Sequence, residues 1–191
     1  LWHYHFGHGI VDTTSDFGFN GGRPSHPALL DWLAAELVAN KWSLKHIHRL
    51  ILKSTTWRQA SLIRPEAVGV DAGNRLLWRM NPRRLEAEAL RDAILQTSGQ
   101  LQSALGGPGF YDFTTHSNNT TFYFMKDFDG ATWNRRSLYR TWVRSGRSMF
   151  LDIFDCPDPS ARVPKRAVTT TPLQSLALLN NSFVLRMTNH F

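Results

Sequence analysis

Cysteine is almost missing from this sequence, with Cys156 the only one in 191 residues. No internal disulfide and no cysteine-based zinc site can form. Without a C-x-x-C-H stretch the segment attaches no c-type haem. Lysine is also scarce: it supplies positions 41, 45, 53, 126 and 165, and arginine makes up the rest of the 22 basic residues. No apolar run approaches the roughly 18 residues of a membrane span, because Arg, Lys, Asp or Asn interrupts each one. The chain begins at Leu1 with no charged-then-apolar leader. Trp2 and Phe6 already read as core, and "SFVLRMTNHF" still follows a helical pattern. The expectation is therefore a piece of something longer, truncated at both ends. Nucleophile and metal motifs are absent as well. There is no G-x-S-x-G and no H-E-x-x-H, and "GGPGF" lacks the Lys-Ser/Thr of a phosphate loop. A serine–histidine–aspartate arrangement stays open, since fold and not spacing sets it.

What is present points to a packed domain. Hydrophobic residues make up 42%, with seven Trp and twelve Phe, a composition that excludes disorder. The formal net charge is +7, from 22 Lys+Arg against 15 Asp+Glu. Such a balance suits nucleic acid, anionic polysaccharide or acidic surfaces. The arginines, however, are spread along the chain and mixed with acids, which argues against nucleic acid.

The pattern reads as mainly α with a small β-sheet. Residues 1–191 form one domain: a helical part over 1–105, a small strand-rich part over 106–146 and C-terminal helices over 147–191. Trp2 and Phe6, at i and i+4, end a helix that Gly7 or Gly9 stops. A Gly/Asp/Ser-rich loop covers 10–27. Pro27 opens a helix with Leu29, Leu30, Leu33 and Leu37 inward. Ser43 caps the next, with Leu44, Ile47, Leu50 and Ile51 inward. A short helical piece is expected near Asn74–Arg79. The clearest helix is capped by Asn81 and started by Pro82, with Leu85, Ala89, Ile94 and Leu101 facing the core. "TTFYFM" and "SLYRTWVR" read as strands of a short antiparallel sheet around 120–145. "SMFLDIFDCPDPS" is a short helix. Thr171 caps and Pro172 starts another, and Ser182 caps the last.

Several stretches, in order, resemble one family: "WHYHFGHGIVDTTSDFGFNGGRPSHPALLDWLA", "WSLKHIHRLILKSTTWRQAS", "NRLLWRMNPRRLEAEALRDAIL", "RRSLYRTWVR" and "FDCPDPSARVPKRAVTTTPLQSLALLNNSFV". They are similar to the planctomycete-specific domain labelled PSD-one, a domain of unknown function. The resemblance implies a large exported, extracytoplasmic parent, periplasmic or secreted, that often carries a cytochrome-c-like module upstream. Any haem c then belongs to another domain of the parent, and the other domains are this segment's first partners. No activity follows from it.

Four groups of residues are candidates for a site. His3, His5 and His8 sit within six positions, but His3 and His5 are i,i+2 and would point apart, so a plain helix end is the preferred reading and no metal is assigned. Asp12, Asp16 and Asn20 lack the alternate-residue spacing of a calcium loop, and turns and caps explain them. Trp57, Trp133, Trp142 and Tyr123 could stack on sugar rings, with core the favoured alternative. The fourth is an Arg/acid stripe: Arg84 and Glu88 at i,i+4, then Glu88 with Arg91 and Asp92. Arg135, Arg136, Arg140, Arg144 and Arg166 recur later, near Asp155 and Asp158. These residues build either a buried ionic network or a cleft for a sulfate, carboxylate or sugar, and the network is preferred because buried charges must be paired. The leading functional expectation is an accessory module that binds a ligand or a partner. One alternative is a hydrolase or oxidoreductase acting on anionic polysaccharide, with Glu88, Asp92, Asp155 or Asp158 beside Arg clamps. The other is a basic nucleic-acid-binding surface.

Overall fold

The computed structural model describes residues 1–190. Its elements, in order, are α1 (Trp2–Phe6), α2 (Pro27–Ala39), α3 (Leu44–Lys53), α4 (Thr55–Arg58), α5 (Pro65–Val70), α6 (Ala87–Thr97), β1 (Phe113–Asn118), β2 (Thr120–Met125), a 3-10 turn (Ser137–Tyr139), α7 (Met149–Ile153), α8 (Pro172–Asn180) and α9 (Ser182–Thr188). The fold is thus mainly α with one small antiparallel sheet, as the pattern predicts. No helix among the described residues is long and apolar enough to cross a membrane. The chain divides into two compact units, Leu1–Arg83 and Arg84–Phe191.

In the first unit, Phe6, Ile47 and Ile51 are buried together, and Trp2, Leu33, Leu37, Leu50, Trp57, Leu77 and Met80 pack around them. α1 stops at Gly7, whose φ of 85° is a left-handed value that a side chain resists. α2 and α3 are joined through Lys41 and Trp42, both at positive φ. Ser43 caps α3 by accepting from the His46 N–H, as its position predicts. Two expected inward leucines are not inward: Leu30 and Leu44 are exposed. They lie at the edge of stripes whose centres are Leu33, Leu37, Ile47 and Ile51. The helical piece expected at Asn74–Arg79 is also absent. The helices lie instead at α4 and α5, and Asn74 occupies a turn at positive φ. Its buried amide donates to the Arg79 carbonyl at 2.8 Å and to Asn81 Oδ1 at 2.9 Å, which ties that turn without a helix.

The second unit is built on α6. Its buried residues, Ala87 and Leu95, join Phe150, Leu151, Cys156, Phe183, Val184 and Met187, with Leu90, Ile94, Leu101 and Phe154 around them. The helix begins at Ala87 and not at Pro82. Asn81 is not its cap, because the Asn81 amide donates to the Phe6 carbonyl at 3.0 Å. The inward stripe is therefore Ala87, Leu90, Ile94 and Leu95, and Leu85 and Ala89 face solvent.

The sheet also differs in its second strand. β2 covers "TTFYFM", but its partner is β1, in the register Phe113↔Met125 to Asn118↔Thr120, with Asn119 turning at φ 52°. "SLYRTWVR" is not a strand. It forms the 3-10 turn and isolated bridges, among them Phe110↔Arg140. Within it Asp92 of α6 takes the Ser137 N–H, and Tyr139 and Thr141 spend a carbonyl and an N–H on Phe110, so no continuous ladder forms. At the C-terminal end Thr171 and Gln174 form a reciprocal capping box on α8. The cap of α9 is Asn181, one residue before the expected Ser182, because its side chain reaches the Phe183 N–H.

Candidate functional site

One turn of α6 carries Glu88, Arg91 and Asp92 on neighbouring positions of one face. Arg91 is deeply set, its side chain 13% exposed. Its Nη1 donates to the Arg135 carbonyl at 3.0 Å and to Ser137 Oγ at 3.3 Å, and its Nη2 donates to the Trp133 carbonyl at 2.6 Å. The guanidinium lies 5.3 Å from the Phe110 ring centre and 5.5 Å from that of Phe183. Burial pulls Arg91 below the ordinary arginine value, with Asp92 and Asp112 opposing. Asp92 completes the clamp. Its Oδ1 accepts from the Ser137 N–H at 2.7 Å and from the Ser137 hydroxyl at 2.8 Å, and its Oδ2 is 3.6 Å from Arg136 Nε. Side chains of α6 thus hold the Trp133 and Arg135 carbonyls and the Ser137 N–H.

Glu88 faces another way. It accepts both arms of Arg166, at 2.6 and 3.0 Å, and receives the Cys156 thiol at 3.6 Å. Burial pushes the Glu88 carboxyl up, but the Arg166 hydrogen bonds and charge outweigh it, and the net value lies below the usual carboxylate range. Burial, followed by the Glu88 charge, pushes the Cys156 thiol up to about 12. Arg84 lies outside α6, so the expected Arg84–Glu88 pairing does not exist. Arg84 donates instead to the Thr169 carbonyl and, at 2.5 Å, to Gln174 Oε1. Asp155, itself at positive φ, accepts from the Thr169 N–H at 2.7 Å and its hydroxyl at 2.8 Å. Together they fasten the segment that leads into α8.

Arg140 is 4% exposed and donates from Nε to Asp112 Oδ2 at 2.6 Å, with its guanidinium 4.5 Å from the Trp142 ring centre. Asp158 accepts from the Ser160 N–H at 2.8 Å and lies 3.7 Å from Arg147, which pairs with Asp152 at 2.8 Å. Arg144 is exposed and outside the network. Sequence reasoning did not name Asp112, Asp127, Arg147, Asp152 or Arg186. Of these, Arg186 grips Asp127 with two bonds of 2.6 Å, and the Ser182 hydroxyl donates to the same carboxylate. Burial raises Asp127, but the Arg186 and Ser182 bonds prevail and bring it below the ordinary value. The partners are 59 residues apart, beyond any local periodicity.

The other candidates separate. His5 Nε2 lies 2.8 Å from Nδ1 of His48 on α3, a partner that spacing alone did not suggest, and His8 is exposed. Among the described residues no group of three or more His, Cys, Asp or Glu could hold a metal ion. Asp12 pairs with Arg75 at 2.7 Å, and Asp16 accepts from the Gly18 N–H at 3.0 Å in a turn. Trp57 belongs to the first unit's core. Tyr123 meets Phe113 edge-on at 5.3 Å. Trp133 stacks on Phe128 at 4.8 Å, and its indole N–H donates to the Tyr111 carbonyl at 2.9 Å.

Beside the Arg91 clamp, within the second unit, lies a half-open cavity of about 120 Å³. Arg91, Asp112, Lys126, Asp127 and Asn134 supply its polar wall, and Phe110, Phe128, Trp133, Phe150 and Phe183 its apolar one. Asn134 is 6% exposed, and its side-chain amide lines the cavity. Oδ1 of Asp112 is buried and has no hydrogen-bond partner among the described residues. A buried polar group without a bond costs about 1–3 kcal/mol, so this wall is primed for polar contacts.

By fold and site this is a basic, mainly helical α+β protein whose arginines and acids lock loops around a small mixed polar and aromatic cavity. The chain belongs to the family described as PSD1, protein of unknown function (DUF1553), whose profile matches residues 1–191. No curated protein and no solved structure matches it.

Proposed function

We propose that the chain is a ligand-recognition module, an accessory domain that serves a larger exported parent and works beside that parent's other domains, a cytochrome-c-like one included. In this reading Arg84, Glu88, Arg91, Asp92, Arg136, Arg140, Asp155, Asp158 and Arg166 are the framework. The cavity next to Arg91 is the binding place. The observation that carries it is Asp112 Oδ1, buried in the cavity wall and without a hydrogen-bond partner among the described residues. Natural interiors satisfy such groups, and exceptions mark positions where something else binds. A pocket with aromatic walls and a few convergent polar groups is the usual form of a small-ligand site.

The experiment is a ligand screen on the 191-residue chain, with neutral sugars, sugar acids, sulfated glycans and small carboxylates. Binding is read from the NMR signals of the Asn134 side-chain amide and the Trp133 indole N–H. Saturable shifts at these two groups are expected. A library that moves neither signal overturns the proposal.

A further inference from the structure

We infer that the cavity beside Arg91 takes one ring-sized hydroxylated carboxylate, a sugar acid of the uronate type, with Lys126 receiving the carboxylate and Asn134 and Asp112 receiving hydroxyls. This rests on the reading of the cavity as a binding place. Charge is the first argument. Four charged side chains line the wall. Asp112 is neutralised by Arg140 at 2.6 Å and Asp127 by Arg186 at 2.6 Å. Arg91 is spent on two carbonyls and a hydroxyl, with Asp92 3.9 Å away. Of the four, Lys126 alone makes no ion pair or side-chain hydrogen bond among the described residues. Lys126 is therefore the cation of the wall left without an acid beside it, and it favours an anionic ligand.

Hydrogen-bond chemistry is the second argument. Asp112 Oδ1 is an acceptor that needs a donor. A simple carboxylate brings no O–H, and a hydroxylated one does. The Asn134 amide offers both an acceptor and a donor, which matches a hydroxyl that gives and takes. The third argument is size and surface. At roughly 10–15 Å³ per water-sized group, 120 Å³ holds about ten non-hydrogen atoms. That is one sugar ring with its substituents at the mouth, and not a nucleotide. Phe128 and Trp133 present aromatic surface for the ring's C–H face.

The test titrates the 191-residue chain with glucuronate, glucose, acetate and alanine, read at the Asn134 amide and the Trp133 indole. Glucuronate is expected to bind at least tenfold more tightly than the other three. Lys126→Gln, at an exposed position, is expected to weaken glucuronate about tenfold and leave glucose unchanged. Equal binding of glucose shows that the Lys126 charge is unused, and equal binding of acetate shows that the hydroxyls are unused. Tighter binding of alanine shows that an ammonium fills the place assigned to a hydroxyl. Each of these overturns the inference. If all four fail but another compound of the broader screen shifts the two signals, the sugar-acid assignment falls and the cavity reading stands. If nothing shifts them, both fall.

Discussion

Replacing Arg91 by Met tests the claim that this guanidinium is a loop clamp. Met matches Arg closely in helix propensity, so α6 itself is undisturbed. The loss falls on the Arg135 and Trp133 carbonyls, which Arg91 meets at 3.0 and 2.6 Å. Each buried group left without its partner costs about 1–3 kcal/mol. The two flanking rings, Phe110 and Phe183, forfeit about 0.5–1 kcal/mol each. Against this, a desolvated charge is removed, which returns a part. Asp92 is not orphaned, because Ser137 still donates to it twice. The net expectation is a loss of about 2–4 kcal/mol, measured by urea unfolding. Arg91→Lys keeps the charge and loses the fork, and it is expected to recover less than half of the deficit. Arg144→Met, at an exposed position outside the network, stays within about 0.5 kcal/mol. If Arg91→Met costs less than about 1 kcal/mol, the clamp is wrong.

Cys156, with its thiol pushed up to about 12, is expected to resist iodoacetamide at neutral pH in the folded chain and to react at an ordinary rate once urea unfolds it; fast native alkylation contradicts the burial-and-Glu88 account. Burial first, then the charges of His48 and Arg83, holds His5 below 6.5. The folded state therefore binds fewer protons there, and the stability of the Leu1–Arg83 unit drops as pH falls from about 6.5 through the lower folded value. Thermal melts between pH 7.5 and 5.5 detect this, and His5→Phe is expected to flatten the slope. Glu88 and Asp127 are net depressed, so their contribution is present above ordinary carboxylate values and is lost as pH falls below them. In Glu88→Gln the acid limb of unfolding is expected to be shallower. Thr171→Ala removes the capping box of α8 and is expected to lower stability by about 1 kcal/mol, and an unchanged urea midpoint would tell against it.

Local rules reached some elements and missed others for identifiable reasons. Caps made of a side chain and the next turn were legible: Ser43 on α3, Gly7 after α1 and Thr171–Pro172 on α8 all lie where short-range chemistry puts them. The start of α6 was not. Pro82 is an acceptable first residue, but Asn81 is engaged by Phe6, 75 residues away, and the helix waits until Ala87. The strand reading of 137–144 failed the same way. β-branched and aromatic content measures fit to a pleated surface, while Ser137 is held by Asp92 across 45 residues.

The ionic residues repeat the lesson at a finer scale. Spacing put Glu88, Arg91 and Asp92 on one turn of α6, and that much is geometry of the helix. It suggested they answer one another, and only Arg91 and Asp92 do, at 3.9 Å. Glu88 turns to Arg166, 78 residues on, while Arg91 turns to carbonyls of 133–135. Neighbouring charges on an exposed helix gain only a few tenths of a kcal/mol from each other. A half-buried carboxylate gains far more from a forked arginine that also satisfies its lone pairs. Long-range partners therefore win wherever the fold brings one within reach. The same competition explains Lys126: the nearby acids Asp112 and Asp127 already hold arginines, so among the described residues Lys126 is the cation of the cavity wall without an ion pair.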